Sequence, residues 1–337
     1  MLKKKRIEYI DIAKGIGIIF VISGHLLNKN SAPYAFIYSF HMPLFFVLSG
    51  LLMTDNTCGD FKHIIESQCK LLREYLAYSG LYCIFDYLVR IILLNEMDTH
   101  QLIWNVYKTI TLFGINVLWF IPSLCIAKIL AQFLLKKFSF FKSEIIALLL
   151  FFAVSIIGKC FTMEIASRSV VWLLLYFPIV AFVRPIGMIC FLYFGYILKA
   201  RINRFTCKCM IAKVTTVVML LLITLLCVSR NGAVDTHYID FANPLLTMLT
   251  GISGSLMIIF LSQILEETKT IKCVLRAFGK NSLLIMVIHQ YLFIARGCKL
   301  ILESIGLCSI YLEIALTCVV SLFVAEIINR MKEIIRR

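Results

Sequence analysis

The sequence predicts an all-α, polytopic membrane protein with about ten transmembrane helices and both termini in the cytoplasm. Three observations predict it. Apolar runs near 20 residues recur along nearly all of the 337 residues, and a helix of that length crosses a hydrocarbon core of about 30 Å. Charged residues are only 16% of the chain and hydrophobic ones 61%, where a soluble domain carries about 25% charged residues; mean hydropathy is +0.90. Lysine and arginine gather in alternate connections. The runs also lack the two-residue alternation of a transmembrane barrel.

Ten spans account for the chain: 7–27, 34–54, 74–94, 117–135, 144–161, 181–199, 211–229, 241–264, 279–296 and 306–328. With the N-terminus inside, 23 of the 34 lysines and arginines fall on the cytoplasmic side, as the positive-inside rule requires. They are Lys3, Lys4, Lys5, Arg6; Lys62, Lys70, Arg73; Lys136, Lys137, Lys142; Lys199, Arg201, Arg204, Lys208, Lys213; Lys269, Lys272, Arg276, Lys280; and Arg330, Lys332, Arg336, Arg337. The stretch from Arg168 to Lys199 is too long for one span. One span at 181–199 preserves the charge pattern, so 165–180 is expected to be an apolar external or re-entrant segment broken by Pro178. The first span keeps Asp11 and Lys14 and has no cleavage site after it, so it reads as a retained helix and not a signal peptide. No repeat, low-complexity tract or appended soluble domain interrupts the chain, which reads as a single membrane domain, 1–337.

The net charge of +15 would suggest nucleic acid in a soluble protein. Here it belongs to cytoplasmic loops, and no basic domain stands outside the membrane to bind nucleic acid. The 13 cysteines lie mostly in apolar runs (Cys83, Cys125, Cys190, Cys227, Cys318) or beside basic loops (Cys207, Cys209, Cys273). Without ligand-spaced histidines they argue against a metal site, and they read as small buried hydrophobes.

Ionisable residues inside spans are costly, and usually face a bundle interior and mark function. Asp11 and Lys14 are either a self-neutralising i, i+3 pair or part of a site. Lys14 and His25 stand eleven residues apart, close to three whole turns, so both project from one stripe of the helix about 16 Å apart. The second apolar run, "FHMPLFFVLSG", carries His41, with Pro43 expected in a first helical turn. His25 and His41 then share the external side, and His289 in "NSLLIMVIHQYLF" falls in the outer half of the ninth span. Histidine suits proton transfer near neutral pH. Lys70 and Arg73 lie at i, i+3 where the third span opens, either as a positive-inside flank or, with Lys14, as a phosphate clamp. "GIGIIF" at Gly15 and Gly17 and "GISGS" at Gly251–Ser255 match no nucleotide or nucleophile motif and read as close-packing positions.

Taken in order, these features resemble the acyltransferase 3 family of integral-membrane O-acyltransferases. "RIEYIDIAKGIGIIFVISGHLL" is similar to its first helix, with a basic residue, ten intervening residues and a histidine: Lys14 to His25. "YSFHMPLFFVLSGLLM" is similar to its second. Lys70 and Arg73 match the basic pair opening its third, with Lys at the first place where Arg is usual. "LWFIPSLCIAKIL", "FLYFGYILK" and "GKNSLLIMVIHQYLF" resemble later motifs and bring Trp119, Asn281 and His289 forward as substrate-pocket candidates. The resemblance implies a bacterial inner-membrane enzyme that moves an acyl group, usually acetyl, from acetyl-CoA to a hydroxyl of an envelope sugar, polysaccharide or glycolipid. On that reading Lys14, Lys70 and Arg73 bind the donor's phosphates. His25 is base or acyl acceptor, His41 orients it or polarises the thioester, and Asp11 holds Lys14; no metal takes part. A glycan-precursor exporter, or a non-catalytic binding domain of the same fold, are the competing readings of the polar stripe.

Overall fold

The computed structural model describes residues 7–53, 61–94, 98–162, 170–205, 209–291 and 294–335. Lys3 to Arg6, residues 165–169, Cys207, Lys208, Arg336 and Arg337, all invoked above, lie outside them. Among the described residues the regular elements are helices. These are α1 (Glu8–Leu26), α2 (Ala32–Leu51), α3 (Phe61–Val89, running on into a π-turn at Arg90–Leu94), α4 (Thr99–Ile110) and, after a 3₁₀ turn at Asn116–Trp119, α5 (Phe120–Lys137). Then come α6 (Phe140–Thr162), α7 (Val170–Phe205), α8 (Met210–Asn231), α9 (Pro244–Leu265), α10 (Lys269–Lys280), α11 (Ser282–Tyr291), α12 (Ile294–Ser304) and α13 (Ile310–Ile335). Nine described helices are long and apolar enough to cross a membrane, and α11 with α12, bent by 60°, count as a tenth if the pair is taken as one span. The chain is a polytopic all-α membrane protein.

The chain divides into two compact units. The first comprises Met1–Leu48, Arg201–Ala233 and Leu245–Arg337; the second comprises Ser49–Ala200 and Val234–Pro244.

In the first unit α1 is mostly apolar and is buried on most sides through Ile10, Ile12, Ala13, Ile18, Val21 and Ile22, as a central helix should be. The basic segment 269–280, read above as a loop, is the helix α10, which packs along α1. Two glycines permit the approach: a Cβ at Gly15 would strike the carbonyl of Leu275, and one at Gly279 would strike the carbonyl of Asp11. Glu8 then grips α10 one turn apart, with Oε2 2.9 Å from Lys272 Nζ and Oε1 2.7 Å from Arg276 Nη1. Such solvent-screened pairs contribute little, so close packing dominates. Helix α8 leaves Ile211, Met219, Leu222 and Leu226 exposed, the composition of a lipid-facing surface. Helix α13 buries one narrow stripe, Thr317, Cys318, Ser321 and Ala325, small residues of the kind that let helices approach in lipid.

Two prolines required correction of the sequence reading. Pro43 is not in a first turn: α2 begins at Ala32, so Pro43 is interior and His41 sits mid-helix. Nor does Pro178 break a re-entrant segment: α7 runs through Pro178 and Pro185 for 36 residues. A proline removes the N–H that would bond the carbonyl four residues back, and membrane helices tolerate it when another group takes that carbonyl. In the second unit the Tyr107 hydroxyl donates to the Leu174 carbonyl, freed by Pro178, at 2.5 Å. In the first unit the Thr250 hydroxyl reaches the Ser39 carbonyl, freed by Pro43, at 3.3 Å, while also facing Leu246 O at 3.0 Å. The third helix likewise starts earlier than the expected 74, at Phe61, because its first turns are polar and carry no hydropathy signal. Helix α4 was not anticipated. It is amphipathic, and Asp98 caps it by accepting from the Gln101 amide at 2.9 Å.

Candidate active site

The first unit brings the predicted histidines together. His25 is in the last turn of α1 and is an exposed residue. His289 on α11 is 1% exposed, and its ring centroid is 5.4 Å from that of His25, the planes tilted by 37°. His41 on α2 is 5% exposed and packs 4.8 Å from the Tyr38 ring. Both His41 and His289 lie within electrostatic reach of His25.

Each buried histidine is tied to its own helix. His41 Nδ1 is 2.9 Å from Ile37 O, and His289 Nδ1 is 3.0 Å from Ile285 O. A carbonyl only accepts, so in each ring Nδ1 carries the proton and, in the neutral ring, Nε2 carries the lone pair. Two fixed imidazoles thus keep an Nε2 lone pair, and one of them, His289, stands beside the ring of His25. That arrangement can take a proton from a hydroxyl and pass it on.

Lys14 is half-buried on α1 and Asp11 is 4% exposed. The helix is unbroken from Lys14 to His25, so the one-stripe placement holds. Asn281 is at the joint between α10 and α11: its Nδ2 donates to Ala277 O at 3.0 Å, and its Oδ1 accepts from Asn329 Nδ2 at 2.6 Å. It sets how the two helices join and ties α11 to α13.

The other candidates belong to the second unit. Lys70 and Arg73 are exposed on α3. Trp119 is 7% exposed and lies in a packed stack, 5.3 Å from the His237 ring at 5°. Arg184 stands over the Trp119 ring, with Cζ 4.6 Å from its centroid. Arg184 is fully buried, and its nitrogens donate to Ser123 Oγ at 2.9 Å, His237 O at 2.9 Å and Phe113 O at 3.1 Å. One guanidinium thereby pins α5, the turn before it and the 234–243 connection to α7.

The family model for the acyltransferase domain, acyltransferase 3, matches residues 7–328. The chain belongs to the acyltransferase 3 family. It is therefore a multi-pass membrane acyltransferase. A search of curated proteins found no match. Within this acyltransferase, sequence reasoning missed Arg184 and His237. Arg184 was legible as an arginine inside an apolar run, the standard flag for a functional or buried polar group. His237 carried no signal, since it sits alone in a connection and acquires its place only by stacking.

Proposed function

We propose that this acyltransferase moves an acyl group, acetyl in the first instance, from cytoplasmic acyl-CoA to a hydroxyl of a cell-envelope sugar, polysaccharide or glycolipid, in a bacterial inner membrane. One observation carries the reading: the ring of His25, an exposed residue, stands against the buried ring of His289, and His289 and His41 each have their tautomer fixed. His25 takes the proton of the acceptor hydroxyl as its oxygen attacks the acyl carbon, and the thiol of coenzyme A leaves. His41 supports the charge that His25 acquires. Lys14, Lys70 and Arg73 are the proposed charge-assisted partners of the donor's phosphates. Asp11 aims Lys14.

The test is mass spectrometry of envelope glycans from cells with and without the protein, and with His25→Asn. Loss of O-acyl groups without the protein, unrestored by a normally inserted His25→Asn, is the expected result. An uncharged amide cannot serve as the base, so His25→Asn retaining more than a few per cent of wild-type acylation would reject the assignment.

A further inference from the structure

Helix α13 packs against α11, the helix that carries His289. Asn329, near its end, is bonded to Asn281, at the start of α11, and the chain returns through α12, so α11 and α13 run antiparallel in contact. Eight residues up α11 from Asn281 is His289; eight residues back down α13 from Asn329 is Ser321, at the same height, about 12 Å along each helix. Ser321 is fully buried in the narrow inward stripe of α13. His289 Nε2 and Ser321 Oγ are both buried without a hydrogen-bond partner. Most buried polar atoms are paired; the Nε2 of His289 is not, and its ring stands beside that of His25.

We propose that His289 is the second proton acceptor of this enzyme: it acts through His25, at an Nε2 that is buried with no hydrogen-bond partner of its own. The inference rests on the acyl-transfer reading above and assigns His289 a role beyond lining a pocket. The two rings are at a separation where small rotations bring ring nitrogens into hydrogen-bond range, about 3 Å. As the acceptor oxygen bonds to the acyl carbon, its proton moves to one nitrogen of His25. The proton on the other nitrogen of His25 moves to Nε2 of His289. When the carbon–sulfur bond breaks, the proton returns by the same route through His25 to the sulfur. Nothing is oxidised or reduced, and both histidines end neutral. His289 touches no reacting atom, so it is a positioning and relay residue.

The test uses the whole protein in proteoliposomes, with labelled acyl-CoA as donor, water or a sugar as acceptor, and wild type beside His289→Gln and His289→Ala. His289→Gln should lower kcat by about 10²-fold, within the range of acid–base contributions, with KM for acyl-CoA changed less than about twofold. Small imidazoles added to His289→Ala should restore turnover in order of ring basicity, which a purely structural role would not produce. A kcat for His289→Gln within about threefold of wild type, or rescue indifferent to ring basicity, would overturn the relay and leave acyl transfer standing. If His289→Gln fails to insert, the imidazole series on His289→Ala decides alone. Wild type that transfers no acyl group to any acceptor would sink the parent reading and this one together.

Discussion

At the scale of single residues, the first unit separates histidines by what their nitrogens already hold. His25 is exposed, while His41 and His289 each spend Nδ1 on a backbone carbonyl. A supporting imidazole contributes only part of the roughly 10²–10⁴ that acid–base catalysis supplies, so His41→Asn should lose less turnover than His25→Asn in the same vesicle assay. The cations should act on the donor instead. Removing one charge–phosphate contact, by Lys14→Ala or Arg73→Ala, should weaken acyl-CoA binding by about 1.5–3 kcal/mol, measured by competition with labelled donor. Dephospho-coenzyme A donors should lose their dependence on at least one of the two. Unchanged affinity in both variants would reduce these residues to topology signals.

At the scale of helices, the fold repairs its own proline defects, and the repair is measurable. Tyr107 covers the Leu174 carbonyl that Pro178 leaves open. Tyr107→Phe should leave the Leu174 carbonyl without its partner and cost about 0.5–1.5 kcal/mol, seen as a lower Tm in detergent. Pro178→Ala restores an N–H for that carbonyl. In its background Tyr107→Phe should cost much less, and equal costs in both backgrounds would disprove the coupling. This is also why the re-entrant reading of 165–180 failed over its described part. Pro178 looks like a break in the sequence, and the group that makes it harmless lies 71 residues earlier, on an amphipathic helix that hydropathy does not reveal.

At the scale of the molecule, the reaction is proposed to cross the membrane. Lys14 and His25 share one face of one unbroken helix, about 16 Å apart along it. The basic residues mark the Lys14 end as cytoplasmic. Acyl-CoA is too charged to cross lipid, so only its thin arm and acyl group should reach His25. In sealed right-side-out vesicles, a membrane-impermeant acceptor added outside should be acylated only when the donor is trapped inside. Acylation with donor supplied solely outside would refute the through-membrane route.

The sequence by itself determined the fold class, nearly every span, and the Lys14–His25 stripe, because hydropathy over 20 residues and helical periodicity are local properties. It also marked His41 and His289 as polar residues out of place in lipid. Only the tertiary structure decided which ring stands beside His25, which of their nitrogens are already taken, and that Ser321 stands level with His289. These follow from helix rotation and register, which are set by contacts such as Gly279 on Asp11 and Asn281 on Asn329. Those contacts join residues 48 to 268 positions apart, and no local pattern in a chain can report on a partner that distant.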